Sequence, residues 1–321
     1  MPHFSKPDPR SRPAPSAGEF IAPTSAPRLR GATEYHGVKS QPPRAPAPAP
    51  TAPFASAADE NDSIAAAGSR SGPARHDELK LCGLAAVKAR FARDPGSIKR
   101  LFFDHATGQR VGAICKALAQ EKKIYRQVEA AELEKISGSI HHGGIVAVVY
   151  APPMRVVTAA DVAAWAKRGE AVLVLDRIGN AHNLGAIART AAFFGVPRIV
   201  IPDDATAARP TDAAHRVAEG GFEHLEVWQT KSLAGFAHEL AAAGYEVIGA
   251  TARGGRPDAP RGKGGKPLAL LLGNEEHGLA SDVAAACTRL VTIPGSGKVE
   301  SLNVSVAAAV LMWELLARLP R

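Results

Sequence analysis

The sequence has 321 residues, of which 45% are hydrophobic and 22% charged, and its formal net charge is +8. These values are typical of globular proteins and exclude a collagen-like or a wholly disordered chain. The longest apolar run near the C-terminus, residues 306–313, is too short for a membrane span of about 20 residues. The basic excess favours a polyanionic partner, with nucleic acid as the leading candidate. The three cysteines form no C-x-x-C pair, and no apolar leader is present, so we expect reduced thiols and a cytoplasmic location.

The first 75 residues differ in composition from the rest of the chain. Residues 1–75 contain 14 of the 25 prolines and few side chains that could fill a core. Such a composition cannot offset the entropy lost on ordering the chain. We therefore expect a disordered, basic tail rich in Pro and Ala, which serves as a spacer or as a weak tether for RNA.

A small α/β unit is expected over residues 77–150. Its hydrophobic periodicity predicts a helix, a strand, two helices and a second, buried strand. These elements are expected around residues 84–91, 98–103, 111–118, 132–134 and 145–150.

The remainder, residues 156–321, alternates strand and helix. Six strand candidates lie at residues 172–175, 198–201, 225–228, 246–250, 268–272 and 290–293. Strands interleaved with helices predict a parallel sheet. Asn183 is expected to cap a helix. In the last helix Val306, Val310 and Trp313 share one face, which is expected to pack on the sheet.

Two familiar nucleotide-binding motifs are incomplete in this chain. Residues 176–180, after the first of these strands, lack the G-x-G-x-x-G of dinucleotide-binding domains, and residues 295–298 complete no P-loop. A dehydrogenase and a nucleotide triphosphatase are therefore disfavoured. Three other segments remain, each after a parallel strand, where α/β sheets bind their ligands. They are residues 180–195, 272–279 and 293–305.

Each of the three segments carries polar groups. In the first, Arg189 follows Asn183 by nearly two helical turns. In the second, Glu275 and Glu276 lie between two glycines, and adjacent side chains of an extended segment point apart, which disfavours a paired-carboxylate or Mg²⁺ site. The third is a glycine loop that enters a helix and exposes backbone groups to a ligand.

In this order and at these separations, the three segments resemble the SpoU (TrmH-like) RNA ribose 2′-O-methyltransferases of the SPOUT superfamily. The matching residues are Asn183, Gly185, Arg189, Gly195, Gly273, Asn274, Glu275, Gly278, Ile293, Pro294, Ser301, Leu302 and Asn303. The resemblance covers residues 156–321, and residues 77–150 resemble the family's substrate-binding domain. Two positions depart from the family pattern: Gly143 stands for glutamine in a His-Gln-Gly signature, and Gly295 stands where methionine is frequent.

The resemblance implies a parallel-sheet methyltransferase domain with a C-terminal trefoil knot, preceded by a small α/β RNA-binding domain and the tail. It implies S-adenosylmethionine as the methyl donor, no metal, and a homodimer. The donor would be contacted at Gly273, Ile293, Gly297 and Leu302, with glycine at 273 explained by close approach of the ligand. The implied methyl acceptor is a ribose 2′-hydroxyl of structured RNA, with ribosomal RNA favoured over transfer RNA.

The catalytic residues implied by the resemblance are Arg189, Asn183, Glu275, Ser301 and Asn303. Family proposals make the arginine a general base, but a guanidinium with a pKa above about 12 resists deprotonation. Alternatively, Arg189 grips the adjacent phosphate in a fork, and the phosphate or a water molecule takes the proton. The other four side chains would orient the ribose and the arginine. A non-catalytic RNA-binding or ribosome-assembly protein is the alternative to an enzyme.

Overall fold

The computed structural model describes residues 78–255 and 265–317. The tail expected over residues 1–75 lies outside the described residues. Within the described ranges, none of the helices combines the length and the hydropathy needed to cross a lipid bilayer.

The N-terminal domain is built around a mixed sheet. Its elements are β1 (Glu78–Cys82), α1 (Leu84–Arg93), β2 (Ile98–Phe103), α2 (His105–Gly108), α3 (Gly112–Gln120), β3 (Ile124–Gln127), α4 (Ala130–Ser137) and β4 (Ile145–Tyr150). Within residues 78–150, four strands form a sheet in the order β1-β4-β2-β3, and β4 runs antiparallel to both of its neighbours. Ile145 and Ala147 of β4 face one apolar cluster and Val146 faces another. The predicted buried strand is thus confirmed, because both faces of β4 are covered.

The C-terminal domain is built around a parallel sheet. Its elements are β5 (Arg155–Val156), α5 (Ala159–Arg168), β6 (Val172–Leu175), α6 (Ala181–Phe194), β7 (Arg198–Pro202), α7 (Asp212–Ala218), β8 (Glu226–Thr230), α8 (Leu233–Ala242), β9 (Glu246–Ala250), β10 (Leu268–Leu272), α9 (Ser281–Ala286), β11 (Arg289–Val291), α10 (Val304–Met312) and a π-helical turn, Trp313–Ala317. Within the described residues, seven strands pair in parallel in the order β11-β9-β10-β6-β7-β8-β5. The predicted parallel sheet is confirmed, with β5 as a further edge strand.

The strand order decides which loops meet. β6 pairs directly with β10, and β10 pairs with β9, which is the neighbour of β11. Because all these strands are parallel, their carboxyl ends lie at the same edge of the sheet. The segments that follow β6 and β10 therefore leave the sheet side by side, and the segment that follows β11 leaves the same edge two strands further along, as the sequence predicted for a ligand site.

The prediction that Asn183 caps α6 is wrong. The cap is Asn180, whose side-chain oxygen accepts a hydrogen bond of 2.8 Å from the backbone N–H of His182. Asn183 lies inside the first helical turn instead. Both residues are asparagines, so composition does not distinguish them, and only the tertiary partner of Asn183 explains its position.

The predicted orientation of the last helix is also wrong. Val306, Val310 and Trp313 are 49%, 41% and 52% exposed. The residues of α10 that pack inward are Val304, Ala308, Leu311 and Met312. The helix is apolar on both sides, so spacing alone could not select the buried one.

The two domains contact each other through α1 and the 3-10 turn Gly221–Glu223 that follows α7. Arg90 Nη2 of α1 lies 2.9 Å from Glu223 Oε1, and the two side chains are only 5% and 1% exposed. Arg93 Nη1 donates a 2.9 Å hydrogen bond to the carbonyl of Phe222. Removing either member of a buried ion pair leaves the other charge buried and uncompensated, at a cost of several kcal/mol. The domains are therefore held in one relative position by contacts to which each domain contributes one partner.

His215 of α7 is buried beside this ion pair, with its ring centroid 4.6 Å from that of Phe222. Burial, aided by the positive charge of Arg90, lowers the pKa of His215 from 6.5 to about 3. The folded protein therefore keeps the imidazole neutral at pH values where the unfolded chain binds a proton. Its contribution to stability is complete above pH 6.5 and is lost as the pH falls towards 3.

We expect acid to destabilise the wild type more steeply than a His215→Leu variant. The difference between their free energies of unfolding should change by about 1.4 kcal/mol for each pH unit below the unfolded pKa of the imidazole. Glu223, whose pKa is raised by burial, is present in both proteins, so its effect largely cancels. Urea unfolding at several pH values from neutral to about 5 measures the two slopes. Equal slopes would contradict the assignment of a buried, neutral His215.

Candidate active site

A cleft of about 840 Å³ opens at the carboxyl edge of the parallel sheet. It is lined by residues 250–253, 272–278, 291–297 and 299–302, and by Val304, Ala307 and Leu311 of α10. The volume falls within the range of small-molecule sites. The residues predicted to contact the methyl donor all line this cleft; they are Gly273, Ile293, Gly297 and Leu302.

Three side chains from the three predicted segments meet beside this cleft. Asn183 Nδ2 of α6 donates a hydrogen bond to Glu275 Oε1 in the loop after β10. Asn303 Nδ2 donates to Asn183 Oδ1 at 3.1 Å. Asn303 is itself fixed as the cap of α10, because its Oδ1 accepts from the backbone N–H of Ser305 at 2.9 Å. The structure thus brings Asn183, Glu275 and Asn303 into one chain of hydrogen bonds, which we name the Asn–Glu–Asn cluster.

The loop after β10 separates its two adjacent carboxylates. Asn274 Oδ1 accepts hydrogen bonds from the backbone N–H groups of Glu276 and His277, at 2.9 and 3.2 Å, which closes a tight turn. In this turn Glu275 is half-buried against Asn183, whereas the Glu276 side chain is 82% exposed. The two acids do not form a paired site.

Gly273 is required by the loop itself. A Cβ at this position would lie 2.2 Å from the carbonyl carbon of Gly278 and 2.3 Å from the backbone nitrogen of Leu279. The explanation expected from the sequence, close approach of a ligand, is therefore not the first reason for glycine here. The return of the chain over Gly273 already excludes every side chain.

Two further residues support the loop and were missed from the sequence. Asp176, 2% exposed at the end of β6, accepts a hydrogen bond of 2.6 Å from the backbone N–H of Ala280. Arg177, held at φ 56°, donates to the carbonyl of Gly278 at 3.0 Å. An acid directly after an apolar strand was the available signal. These contacts tie the β6 segment to the β10 loop.

In the structure of the single chain, Arg189 lies apart from the Asn–Glu–Asn cluster. It follows Asn183 by six residues on α6, which is about 9 Å along the helix axis. Its Nη1 lies 2.9 Å from Glu219 Oε1 instead. Ser301 is exposed on the lining of the cleft. The structure therefore joins three of the five predicted catalytic residues, places Ser301 near them on the cleft, and leaves Arg189 on another part of α6.

Two family models match this chain. The model described as "SpoU rRNA Methylase family" matches residues 170–313, and the model described as "RNA 2'-O ribose methyltransferase substrate binding" matches residues 80–154. The 23S rRNA (guanosine-2'-O-)-methyltransferase RlmB of Nitrosomonas europaea is 32% identical over 239 residues, which cover 73% of this chain and 89% of that protein. The chain belongs to the SpoU family. The resemblance expected from the sequence is confirmed, and with it the class of enzyme, an RNA 2′-O-ribose methyltransferase.

Other relatives agree with this SpoU membership. A protein named as an uncharacterized tRNA/rRNA methyltransferase, YfiF, of Escherichia coli O157:H7 is 32% identical over 243 residues, 75% of this chain and 68% of that protein. The AdoMet-bound rRNA methyltransferase of Sinorhizobium meliloti superposes with a TM-score of 0.61 at 23% identity, covering 74% of this chain and 86% of that one. At 23% identity, this structural similarity supports the fold of the chain and nothing beyond it.

Proposed function

We propose that this SpoU protein transfers the methyl group of S-adenosylmethionine to a ribose 2′-hydroxyl of ribosomal RNA. The observation that carries the proposal is the Asn–Glu–Asn cluster, because three separate segments converge on the rim of one ligand-sized cleft. The relative named RlmB acts on guanosine of 23S rRNA, which favours a guanosine ribose of the large ribosomal subunit.

The cleft suits the proposed donor in size and in chemistry. Its inner wall is apolar, with Val291, Val304 and Leu311 buried there, while the loops around it offer backbone groups at Gly273 and Ile293. An adenine ring fits an apolar wall, and backbone N–H and C=O groups read its edges. Gly297 and Leu302 complete the set that would hold the donor. The donor supplies a methyl group on a positively charged sulfur.

The residues of the chain have the task of placing the hydroxyl so that it can attack the methyl group and release its proton. A ribose hydroxyl is a weak nucleophile at neutral pH, so orientation supplies much of the rate. Asn183, Asn303 and Ser301 offer neutral hydrogen-bonding groups for the ribose, with Glu275 fixing Asn183. Arg189 grips the phosphate next to the ribose, and the proton passes to that phosphate or to water, since the guanidinium holds its own protons.

We include a homodimer in the proposal. Phe193 of α6 is 80% exposed, and Val306 and Val310 of α10 and Trp313 of the turn that follows it add further exposed apolar surface. Phe194 contacts Trp313 with 6.3 Å between ring centroids, so the two helices present one continuous face. Arg189 lies one turn before Phe193, at the border of that face. A sedimentation mass near 33.5 kDa for the full chain would contradict the dimer.

Three further parts of the proposal come from the family resemblance and the sequence. They are the C-terminal trefoil knot, the cytoplasmic location, and the division into a tail of residues 1–75, a substrate domain of residues 77–150 and a methyltransferase domain of residues 156–321. Proteolysis of the full chain with mass analysis tests the division: stable products with other boundaries would revise it.

The donor and the acceptor are tested separately on the full chain. Titration calorimetry with S-adenosylmethionine and with its demethylated product should show saturable heat, and absence of heat with both ligands would remove the enzyme and leave an RNA binder. Incubation with labelled donor and ribosomal RNA from cells lacking the gene should then place label on one ribose. Label in transfer RNA instead would overturn the choice of substrate, and mapping ribose methylation with and without the gene locates the nucleotide.

A further inference from the structure

Arg189 has a charged partner that belongs to none of the three segments of the site. Its Nη1 lies 2.9 Å from Glu219 Oε1, and the two side chains are 56% and 60% exposed. Exposed ion pairs contribute little to the free energy of folding. The effect of this pair is therefore on the direction of a long, flexible side chain, whose freedom would otherwise be large.

The backbone that carries Glu219 is in an unusual conformation. Glu219 ends α7 at φ 45° and ψ 44°, the left-handed region that non-glycine residues rarely occupy, and Gly220 follows at φ 91°. Such conformations persist where the surroundings enforce them. One such neighbour is α6 itself, because a Cβ at Gly221 would lie 2.9 Å from the Cα of Arg189. The turn after α7 is thus pressed against α6 at the position of the arginine.

The other side of the same turn is covered by the substrate-binding domain. A Cβ at Gly220 would lie 3.1 Å from the Cα of Ala86 in α1. Two arginines that follow Ala86 on α1 also hold the turn. Arg90 pairs with the buried carboxylate of Glu223, and Arg93 donates to the carbonyl of Phe222. Helix α1 and helix α6 therefore enclose the turn from opposite sides.

We infer that Glu219 is a positioning residue that fixes the direction of the Arg189 guanidinium, and that helix α1 of the substrate-binding domain braces the turn carrying it. The inference rests on the proposed role of Arg189. An arginine has five N–H donors in a rigid fork, so a carboxylate at one nitrogen leaves donors for an RNA phosphate. A movement of α1 in the substrate-binding domain would be transmitted to Arg189 through Gly220 and Glu219.

The first experiment compares single and double variants of the full chain, with steady-state methyl transfer to ribosomal RNA as the readout. Glu219→Gln should lower kcat about 10-fold and leave the Kd for S-adenosylmethionine unchanged, with partial recovery in Glu219→Asp. In an Arg189→Ala background, Glu219→Gln should cause no further loss, because the two residues act as one unit. Equal losses in both backgrounds, or a rate in Glu219→Gln at or above that of the wild type, would overturn the inference.

A glycine variant separates positioning from folding. Glu219→Gly removes the carboxylate and also relieves the left-handed strain, so its melting temperature should equal or exceed that of the wild type. Its kcat should nevertheless fall as in Glu219→Gln. A Glu219→Gly protein with full activity would show that the carboxylate is not needed.

The bracing by α1 is tested with two glycines of similar φ. Gly220→Ala at φ 91° pushes a methyl group against Ala86, whereas Gly244→Ala at φ 96° meets nothing within 4 Å. Both variants place a non-glycine residue at positive φ and should lose stability, and Gly220→Ala adds the contact with Ala86 to that cost. Only Gly220→Ala should lower kcat, by a factor near that of Glu219→Gln. Equal kcat values in the two variants would refute the bracing.

The outcomes distinguish this inference from the proposed function. A fully active Arg189→Ala protein refutes the role of the arginine, and the inference with it. If Arg189→Ala is slowed as expected, but Glu219→Gln lowers the residual rate by the same factor as in the wild type, the inference alone is refuted.

Discussion

Replacement of Arg189 by alanine is expected to lower the rate of methyl transfer by at least ~10²-fold. The reason is that the guanidinium supplies the charged fork for the phosphate beside the reacting ribose, a contact that no nearby neutral side chain replaces. Its present partner, Glu219, is an exposed group, so the loss of the pair should leave the fold intact. The Kd for S-adenosylmethionine, measured by calorimetry, should stay within about threefold of the wild-type value because Arg189 does not line the cleft.

Arg168→Ala is the matched control for this variant. Arg168 is also an exposed arginine paired with a carboxylate, Glu170, but it ends α5, which contributes nothing to the lining of the cleft. Its turnover should equal that of the wild type. Unchanged turnover in Arg189→Ala would remove the arginine from the mechanism.

Replacement of Gly273 by alanine is expected to reduce kcat/KM by about 10²-fold through the donor site. The new methyl group would sit 2.2 Å from the carbonyl carbon of Gly278, and relief to an ordinary contact needs a movement of the loop by about 1 Å or more. That loop carries Asn274 and Glu275, so the donor cleft and the hydrogen bond to Asn183 are displaced together. Calorimetry should show weakened donor binding. Urea unfolding should show that the free energy of unfolding falls by about 1–3 kcal/mol.

Gly112→Ala in α3 controls for the extra methyl group. A Cβ there meets nothing within 4 Å, and the helix lies in the other domain. Its donor affinity should match that of the wild type. Wild-type donor affinity in Gly273→Ala would mean that the loop can rearrange without affecting the cleft.

The sequence predicted the sheet and the three loops of the site because these depend on local pattern. Apolar runs of four or five residues between helices predicted the parallel strands, and the segments that follow such strands leave the sheet at its carboxyl edge. Strand β5 has only two residues, Arg155 and Val156, and gives no periodicity to read. Strand β1 was not predicted either: exposed Glu78 and buried Leu79 begin an alternating pattern, but the strand has only five residues.

The parts of the site that sequence reasoning missed all depend on contacts between distant residues. Asn180 caps α6, whereas Asn183 binds a partner 92 positions away, Glu275. The pairing of Arg189 with Glu219 depends on the packing of α6 against α7, where a Cβ at Gly185 would come within 2.4 Å of the Ala214 carbonyl oxygen. Nothing in the local spacing of these residues predicts such approaches.

The buried pair of Arg90 and Glu223 sets a limit on how this polypeptide can be divided. A cut in the linker between Tyr150 and Arg155 gives two fragments, each of which exposes a formerly enclosed charge together with the apolar surface around it. Neither fragment retains the stabilisation that the intact polypeptide derives from its counterpart. We therefore expect each half, expressed separately, to be less stable than it is within the intact chain.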